Sequence, residues 1–396
     1  MKKILIVSYG MGCGGAEKSL ISFLGRLPVK WNVDLIVANP NGMYMKQIPD
    51  TVHFLDKQYE LENFATPLKL RRRKVCGIND LINQIRWQAG SGFLYHHLSR
   101  NEKRWELWGK FLHAPKKEYD LAISYMNGPT NYYVIDKINA RKKVLWIHNE
   151  FEKLDVNYEY ERKYYQKADK VVTVSQDCAD SFARVYPDFI DKTIILENIS
   201  SPDTIWSSTH SIPDDEYFQY DGVKILSVGR LSPQKGYEIA IDAAMNLKKR
   251  GIRFLWYVLG EGELRAELEK SIAKNGLIGQ IKLIGIKENP YPYIAHCDVF
   301  VQTSHYEGKS IALDEAKILH KPILTTNYAT VASSIVNEVN GLIVDMNGES
   351  VSDGLVRLIE DESLGKKLIR NLENEKNGNE EEIEKYIDLI EGLLDE

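Results

Sequence analysis

Cysteine is scarce: Cys13, Cys76, Cys178 and Cys297 stand far apart, with no C-x-x-C pair. That spacing argues against a disulfide framework or a structural zinc and suits a reducing cytoplasm. No apolar run approaches the ~20 residues that a membrane-spanning helix needs. The opening MKKILIVSYG runs too soon into glycines for a signal peptide and reads as a strand. A net charge of -5 gives no reason to expect a nucleic-acid partner. What is present is a globular composition, 43% hydrophobic and 27% charged, over 396 residues, long enough for two domains.

Strand-like runs alternate with helical spacing in two series. Ile4–Ser8, Asp34–Ala38, Leu121–Ser124, Val144–Ile147 and Lys170–Val174 form the first, with a helix over Ala16–Arg26. Lys224–Val228, Phe254–Leu259, Ile281–Ile284, Val299–Gln302, Ile323–Thr325 and Leu342–Val344 form the second, separated by helical stretches near 238–250, 263–274, 310–319 and 350–360. Such alternation predicts an α/β fold of two facing Rossmann-like, doubly wound domains with the ligand cleft between them. The expected boundaries are a first domain over 1–205, a linker over 206–222 and a second domain over 223–375. An acidic helix over 376–396 follows, either solvated or packed back on the first domain.

One stretch breaks the rhythm. From Lys57 to Lys117 there are 13 Lys and Arg against 5 Asp and Glu, a local net of +8, with Trp87, Tyr95, Trp105, Trp108 and Phe111 interleaved. Cationic, Trp-bearing surface suits an anionic membrane face or a lipid diphosphate. The plainer alternative is a solvated helical insertion with its Trp residues turned inward.

Gly10, Gly12 and Gly15 satisfy G-x-G-x-x-G between a predicted strand and helix. A dinucleotide site would also need an acid after the second strand, to hold the ribose. That strand, DLIVA, instead ends in Asn39 and Pro40, and Asp34 sits at its wrong end. The NAD reading therefore weakens. What survives is that Gly14 and Gly15 let backbone approach a ligand closely at a helix start, or simply make a tight turn.

The strongest signal is Glu307 and Glu315 in HYEGKSIALDEAKILHKPIL, following the strand Val299–Gln302. Eight residues of helix rise about 12 Å, of the order of the span from a donor sugar ring to its nucleoside ribose. Between them, a helix N-terminus over Gly308, Lys309, Ser310 and Ile311 would turn N–H groups toward phosphates. Alone, this spacing fits any surface helix. In LSVGRLSPQKG, however, Arg230 and Lys235 follow the first strand of the second series, where two cations suit a diphosphate and a departing nucleotide. Gly262 in VLGEGELRAELE makes another strand-end turn, and His148 in WIHNE follows a first-domain strand.

These motifs, in this order, resemble the large GT-B glycosyltransferase family four, which includes many bacterial polysaccharide and lipopolysaccharide enzymes. GGAEKSL, WIHNE, ILENIS, VGRLSPQKG, LGEGELRAELE, NPYPYIAHCDVFVQTSHYEGKSIALDEAKILHKPIL and NGLIVDMNGES span nearly the whole chain. The resemblance implies that Arg230 and Lys235 hold the donor diphosphate, Glu307 the donor-sugar hydroxyls and Glu315 the ribose. Backbone from Gly308 to Ile311 would complete the pocket, Gly15 would approach the distal phosphate, and His148 would sit beside the anomeric carbon. It further implies retention of anomeric configuration without a metal or other cofactor, so no Asp-x-Asp pair is needed. Many relatives carry an aromatic or aliphatic residue where this chain has Lys309, which leaves the donor open.

The expected partners are a nucleotide sugar, with UDP the first choice, and a glycan or lipid-linked acceptor selected by the first domain. The expected location is cytoplasmic, with peripheral contact to the inner membrane face through 57–117. Two other classes stay in view: a non-catalytic partner subunit with a relic pocket, and another nucleotide-sugar or NAD enzyme. Intact Glu307, Glu315, Arg230 and Lys235 weigh against the first, and the missing ribose acid against the second.

Overall fold

A computed structural model of the chain describes residues 1–12, 14–40, 42–55, 98–109 and 112–396. It divides into two compact units. One comprises Met1–Gly12, Ala16–Asn198 and Glu381–Glu396, the other Cys13–Gly15 and Ile199–Glu380.

The first unit carries seven parallel strands: β1 (Lys3–Gly10), β2 (Asn32–Asn39), β3 (Val52–Phe54), β4 (Tyr119–Ser124), β5 (Ala140–Ile147), β6 (Lys170–Thr173) and β7 (Thr193–Ile195). They lie in the order β3-β2-β1-β4-β5-β6-β7. Ile6 of β1 stands opposite Leu35 of β2 on one side and Ile123 of β4 on the other. Continuous burial from Ile4 to Ser8 marks a strand covered on both faces, as parallel sheets require. The helices that matter below are α1 (Gly15–Leu24), α2 (Arg100–Trp108), α3 (Pro129–Lys137), α4 (Tyr158–Lys167) and α5 (Gln176–Val185).

The second unit repeats the design with six parallel strands: β8 (Val223–Val228), β9 (Phe254–Leu259), β10 (Ile281–Gly285), β11 (Val299–Gln302), β12 (Ile323–Thr326) and β13 (Leu342–Val344). Their order is β10-β9-β8-β11-β12-β13. Side chains alternate across this sheet. Ile225, Trp256 and Val301 join one buried cluster, while their neighbours Leu226, Tyr257 and Phe300 join the other. Helices α6 (Tyr237–Lys249), α7 (Arg265–Lys274), α8 (Ile311–Ile318) and α9 (Gly348–Glu360) cover its faces. In both sheets the strand order reverses once, between β1 and β4 and between β8 and β11. Ligands of doubly wound sheets bind beyond the carboxyl ends of the strands at such a point.

The expected first boundary and the expected linker both differ from the structure. The boundary falls at Asn198/Ile199 rather than 205, and 206–222 is not a free linker. Its Tyr217 is fully buried, and Asp215 accepts hydrogen bonds from Tyr257 (2.7 Å) and Tyr293 (3.1 Å). Apolar aromatic burial outweighs the Ser/Pro/Asp composition there. The acidic tail forms α10 (Glu382–Asp395), whose Tyr386, Ile390, Leu393 and Leu394 make a buried helical stripe while most of its acids face out. Tyr386 packs 5.1 Å from the Phe23 ring and 5.6 Å from Trp146, and its hydroxyl donates to the Glu197 carbonyl at 2.8 Å.

Most of the basic stretch, including Arg71, Arg72, Arg73, Lys74, Trp87, Tyr95 and Phe111, lies outside the described residues. Trp105 is described and points inward. Its indole N–H donates to Asp136 at 2.9 Å, and its ring lies 5.7 Å from Tyr132. Among the described residues no helix is long and apolar enough to cross a membrane.

Candidate active site

Two loops at the reversal point of the second sheet carry most of the candidate residues. The first follows β8. It exposes Arg230, then turns through Pro233–Lys235 into α6. Gly236 makes that turn possible. Its φ is +58°, and a Cβ there would meet the Thr303 carbonyl oxygen at 2.2 Å. Gly262 serves the same loop from β9, because a Cβ on it would come within 2.2 Å of the Leu231 carbonyl. A packing need thus accounts for this glycine without any ligand.

The second loop follows β11 and is stitched to the first. His305 N–H donates to the Gln234 carbonyl at 2.8 Å, and the Thr303 hydroxyl to the Lys235 carbonyl at 3.0 Å. Glu307 is buried between them, 6% exposed. Its Oε1 accepts from Lys235 Nζ at 2.5 Å and Ser304 Oγ at 2.6 Å, and its Oε2 from Gln234 Nε2 at 3.2 Å. Thr330 Oγ1 fixes the Glu307 carbonyl at 3.0 Å. A carboxylate offers about four lone-pair directions, so three donors leave about one for a ligand hydroxyl. Glu307 is therefore a rigid hydrogen-bond acceptor.

Ser310 caps α8: its Oγ accepts from Leu313 N–H and donates to Gln302 Oε1 at 2.6 Å. Gln302 is oriented in turn by Tyr328, to whose hydroxyl its Nε2 donates at 3.1 Å. Lys309 is half-buried between Gly308 and this cap, and Ile311 is the first helical residue. Glu315 is 3% exposed on α8 and accepts from the Tyr291 hydroxyl at 3.3 Å. The helix begins only at Ile311, so the 12 Å helical measure does not apply to the whole Glu307–Glu315 interval.

Gly14 lies in a bend after β1 and Gly15 opens α1. His148 directly follows β5. It lies against the Tyr125 ring, centroids 5.1 Å apart, and its Nε2–H donates to the Tyr125 carbonyl at 2.7 Å. A carbonyl only accepts, so Nε2 carries the proton and Nδ1 presents a buried lone pair with no partner. Burial pushes the imidazole pKa down to about 4, leaving the ring neutral at physiological pH. Asp34, the one acid on β2, is occupied elsewhere. Burial would raise its carboxyl, but hydrogen bonds from Lys117 (2.7 Å), Tyr119 (2.7 Å) and His53 (3.1 Å) prevail and hold it below its ordinary range.

Comparison with known proteins fits this geometry. Residues 211–375, which contain both loops, match the family model of glycosyl transferases group 1. The chain is 28% identical over 365 residues to an N-acetylgalactosamine-N,N'-diacetylbacillosaminyl-diphospho-undecaprenol 4-alpha-N-acetylgalactosaminyltransferase of Campylobacter jejuni, covering 91% of each. Over 145 residues it is 32% identical to the amylovoran biosynthesis glycosyltransferase AmsK of Erwinia amylovora, covering 34% of this chain and 36% of that one. The solved structure of Anabaena Alr3699/HepE in complex with UDP and glucose superposes with a TM-score of 0.69 at 16% identity, covering 99% of this chain and 100% of that one. The chain is a GT-B glycosyltransferase.

The second unit of the transferase thus gathers Arg230, Lys235, Glu307, Lys309, Ser310 and Glu315 on two loops and one helix. Sequence reasoning passed over the residues that orient them: Gln234, Ser304 and Thr330 around Glu307, and Tyr291 at Glu315. Gln234 had a signal in its place beside Lys235. The others are ordinary polar residues whose roles depend on partners distant in sequence or hidden by the loop's folding.

Proposed function

We propose that the transferase moves a hexose or N-acetylhexosamine, with retention, from a nucleotide sugar of the UDP class to a polysaccharide or lipid-linked glycan. The observation that carries this is the Glu307 cluster. A sugar-hydroxyl acceptor, two cations, a capped helix N-terminus and a second buried glutamate follow one another at the reversal point of the sheet. Arg230 and Lys235 attend the diphosphate, backbone N–H groups over Gly308–Ile311 contribute to its pocket, and Glu315 takes the ribose. Gly14 and Gly15 offer backbone to the distal phosphate. His148, neutral, offers hydrogen bonding near the anomeric carbon rather than acid catalysis.

Glu307, with three donors on its carboxylate, is a poor nucleophile toward the sugar. Front-face attack fits better. The acceptor oxygen bonds C1 on the face from which the diphosphate leaves, the C1–O bond to the phosphate breaks, and the acceptor proton passes to the departing phosphate oxygen. The cations and the helix N-terminus stabilise the leaving group's charge, the task a metal performs in other phosphate sites, so neither metal nor cofactor is required. The undecaprenol-linked substrate named for the Campylobacter relative supports a lipid-linked acceptor. A cytoplasmic enzyme meeting that acceptor at the inner membrane face, through Lys57–Lys117, belongs to the same proposal. Proton NMR during slow hydrolysis of the donor tests the stereochemistry: the first sugar released should keep the donor's anomeric configuration, and release of the inverted anomer would refute retention.

A further inference from the structure

Glu150 lies just beyond the carboxyl end of β5 and opens a turn that is riveted to α5. Phe151, fully buried, meets the Phe182 ring edge-on with centroids 5.2 Å apart. Glu152 N–H donates to Ser181 Oγ at 3.1 Å, and the Glu152 carboxylate accepts from Arg184 Nε at 2.8 Å. Glu150 itself is 6% exposed. Its carboxyl interacts electrostatically with Asp177 and with the buried Cys178 thiol, which places it beside the first turn of α5, past the ends of β5 and β6. Yet its Oε1 is buried with no hydrogen-bond partner among the described residues. Burial is the main influence on this carboxyl and raises its pKa above the ordinary value, although Lys153 and Arg184 draw it down. A buried polar atom left unpaired costs stability, and such costs collect at functional sites, where a ligand supplies the partner.

We infer, resting on the glycan-acceptor reading above, that Glu150 binds a hydroxyl of the acceptor sugar and so selects which sugar is extended. Ligands of a doubly wound sheet bind beyond the carboxyl ends of its strands, and the Glu150 carboxyl lies at that edge of the first sheet. His148 leaves the same strand end, and two residues of chain span at most about 7 Å. An acceptor oxygen attacking beside His148 therefore brings the rest of its ring toward Glu150. A sugar hydroxyl donates, and Oε1 has lone pairs to accept it. Asp177 and Glu152 add negative charge nearby, which repels a phosphate. Glu150 thus meets the sugar end of the acceptor, not a lipid diphosphate.

The test is transfer kinetics of wild type, Glu150→Ala and Glu150→Gln with UDP-sugars. The acceptors are p-nitrophenyl hexosides, p-nitrophenyl N-acetylhexosaminides and a short polyprenyl-diphosphate disaccharide. Glu150→Ala should raise the acceptor KM about tenfold, the size of one hydrogen bond, and keep UDP affinity within about twofold. Glu150→Gln, whose amide oxygen still accepts, should fall between Glu150→Ala and wild type. Unliganded, it should melt at or above the wild type, because a neutral amide replaces a buried ionisable group. Among monodeoxy derivatives of an accepted glycoside, one should lose about tenfold with the wild type and little with Glu150→Ala. An unchanged acceptor KM in Glu150→Ala overturns the assignment. A lower melting temperature for Glu150→Gln also overturns it and makes Glu150 a structural group, as does equal sensitivity of both enzymes to every deoxy derivative. A wild type that transfers sugar to none of these acceptors refutes the glycan-acceptor reading itself.

Discussion

Lys235→Met removes one charge from the Lys235–Glu307 pair while keeping most of the side-chain volume. The Glu307 carboxylate then stays buried with Ser304 and Gln234 as its remaining donors. Breaking a buried ion pair from one side typically costs ~3–5 kcal/mol. The two surviving hydrogen bonds and the 17% exposure of Lys235 set the expectation near the lower end, about 3 kcal/mol. In a unit of this size each kcal/mol moves the midpoint by ~2–4 °C, so the second unit should melt roughly 6–12 °C lower. Scanning calorimetry of the unliganded protein reads this directly. The double variant Lys235→Met, Glu307→Gln should regain most of the loss, because a neutral amide is left where the orphaned charge was, giving a coupling of about 2 kcal/mol. Its transfer activity should stay lost. Wild-type melting of the single variant, or additive losses in the double, would refute a stability role for this pair.

Other consequences separate binding from folding. Arg230→Ala should leave melting unchanged, since Arg230 is exposed, yet cut turnover by about two to three orders of magnitude. Glu315→Gln should weaken UDP binding and Glu307→Gln should spare it; equal losses would mean the two glutamates do not divide ribose from sugar. His148 has an ordinary pKa of 6.5 when unfolded and about 4 when folded, so acid protonates the unfolded chain first. Stability should therefore fall as pH drops from about 6.5 to about 4, by about 3 kcal/mol in total, and His148→Phe should remove that component of a denaturant-midpoint series. Glu161 runs the other way: burial raises its pKa from 4.5 to about 8, so the unfolded chain ionises first and stability is lost as pH rises between those values. Glu161→Gln should gain on wild type across that window, and a constant difference would refute the burial argument.

Most strands were legible because parallel strands covered on both faces must be short, continuous apolar runs, as LIV in β1 and VFV in β11 are, whereas the three-residue end strands β3 and β7 were missed. The placement of Arg230, Glu307 and Glu315 in or just beyond strand-end loops was legible, because the apolar strands that precede those loops could be read from the sequence. Pairing was not legible. Lys235 and Glu307 are 72 residues apart, and nothing local to either announces that one neutralises the other. Composition misled at 206–222, where Tyr217 buries itself on the second sheet despite polar neighbours. For the acidic tail, solvation and packing on the first domain both stayed open, because the stripe of Tyr386, Ile390, Leu393 and Leu394 is interleaved with acids.

Thermal unfolding in EDTA with a panel of UDP, GDP, their sugars and NAD tests the central claim most directly. A ligand present at 100 times its Kd should add about 2.7 kcal/mol to the stability of the unit that binds it. UDP or a UDP-sugar should raise the melting temperature without any metal, and NAD should not. Flat curves across the nucleoside diphosphates and their sugars, with a shift for NAD, would contradict the account.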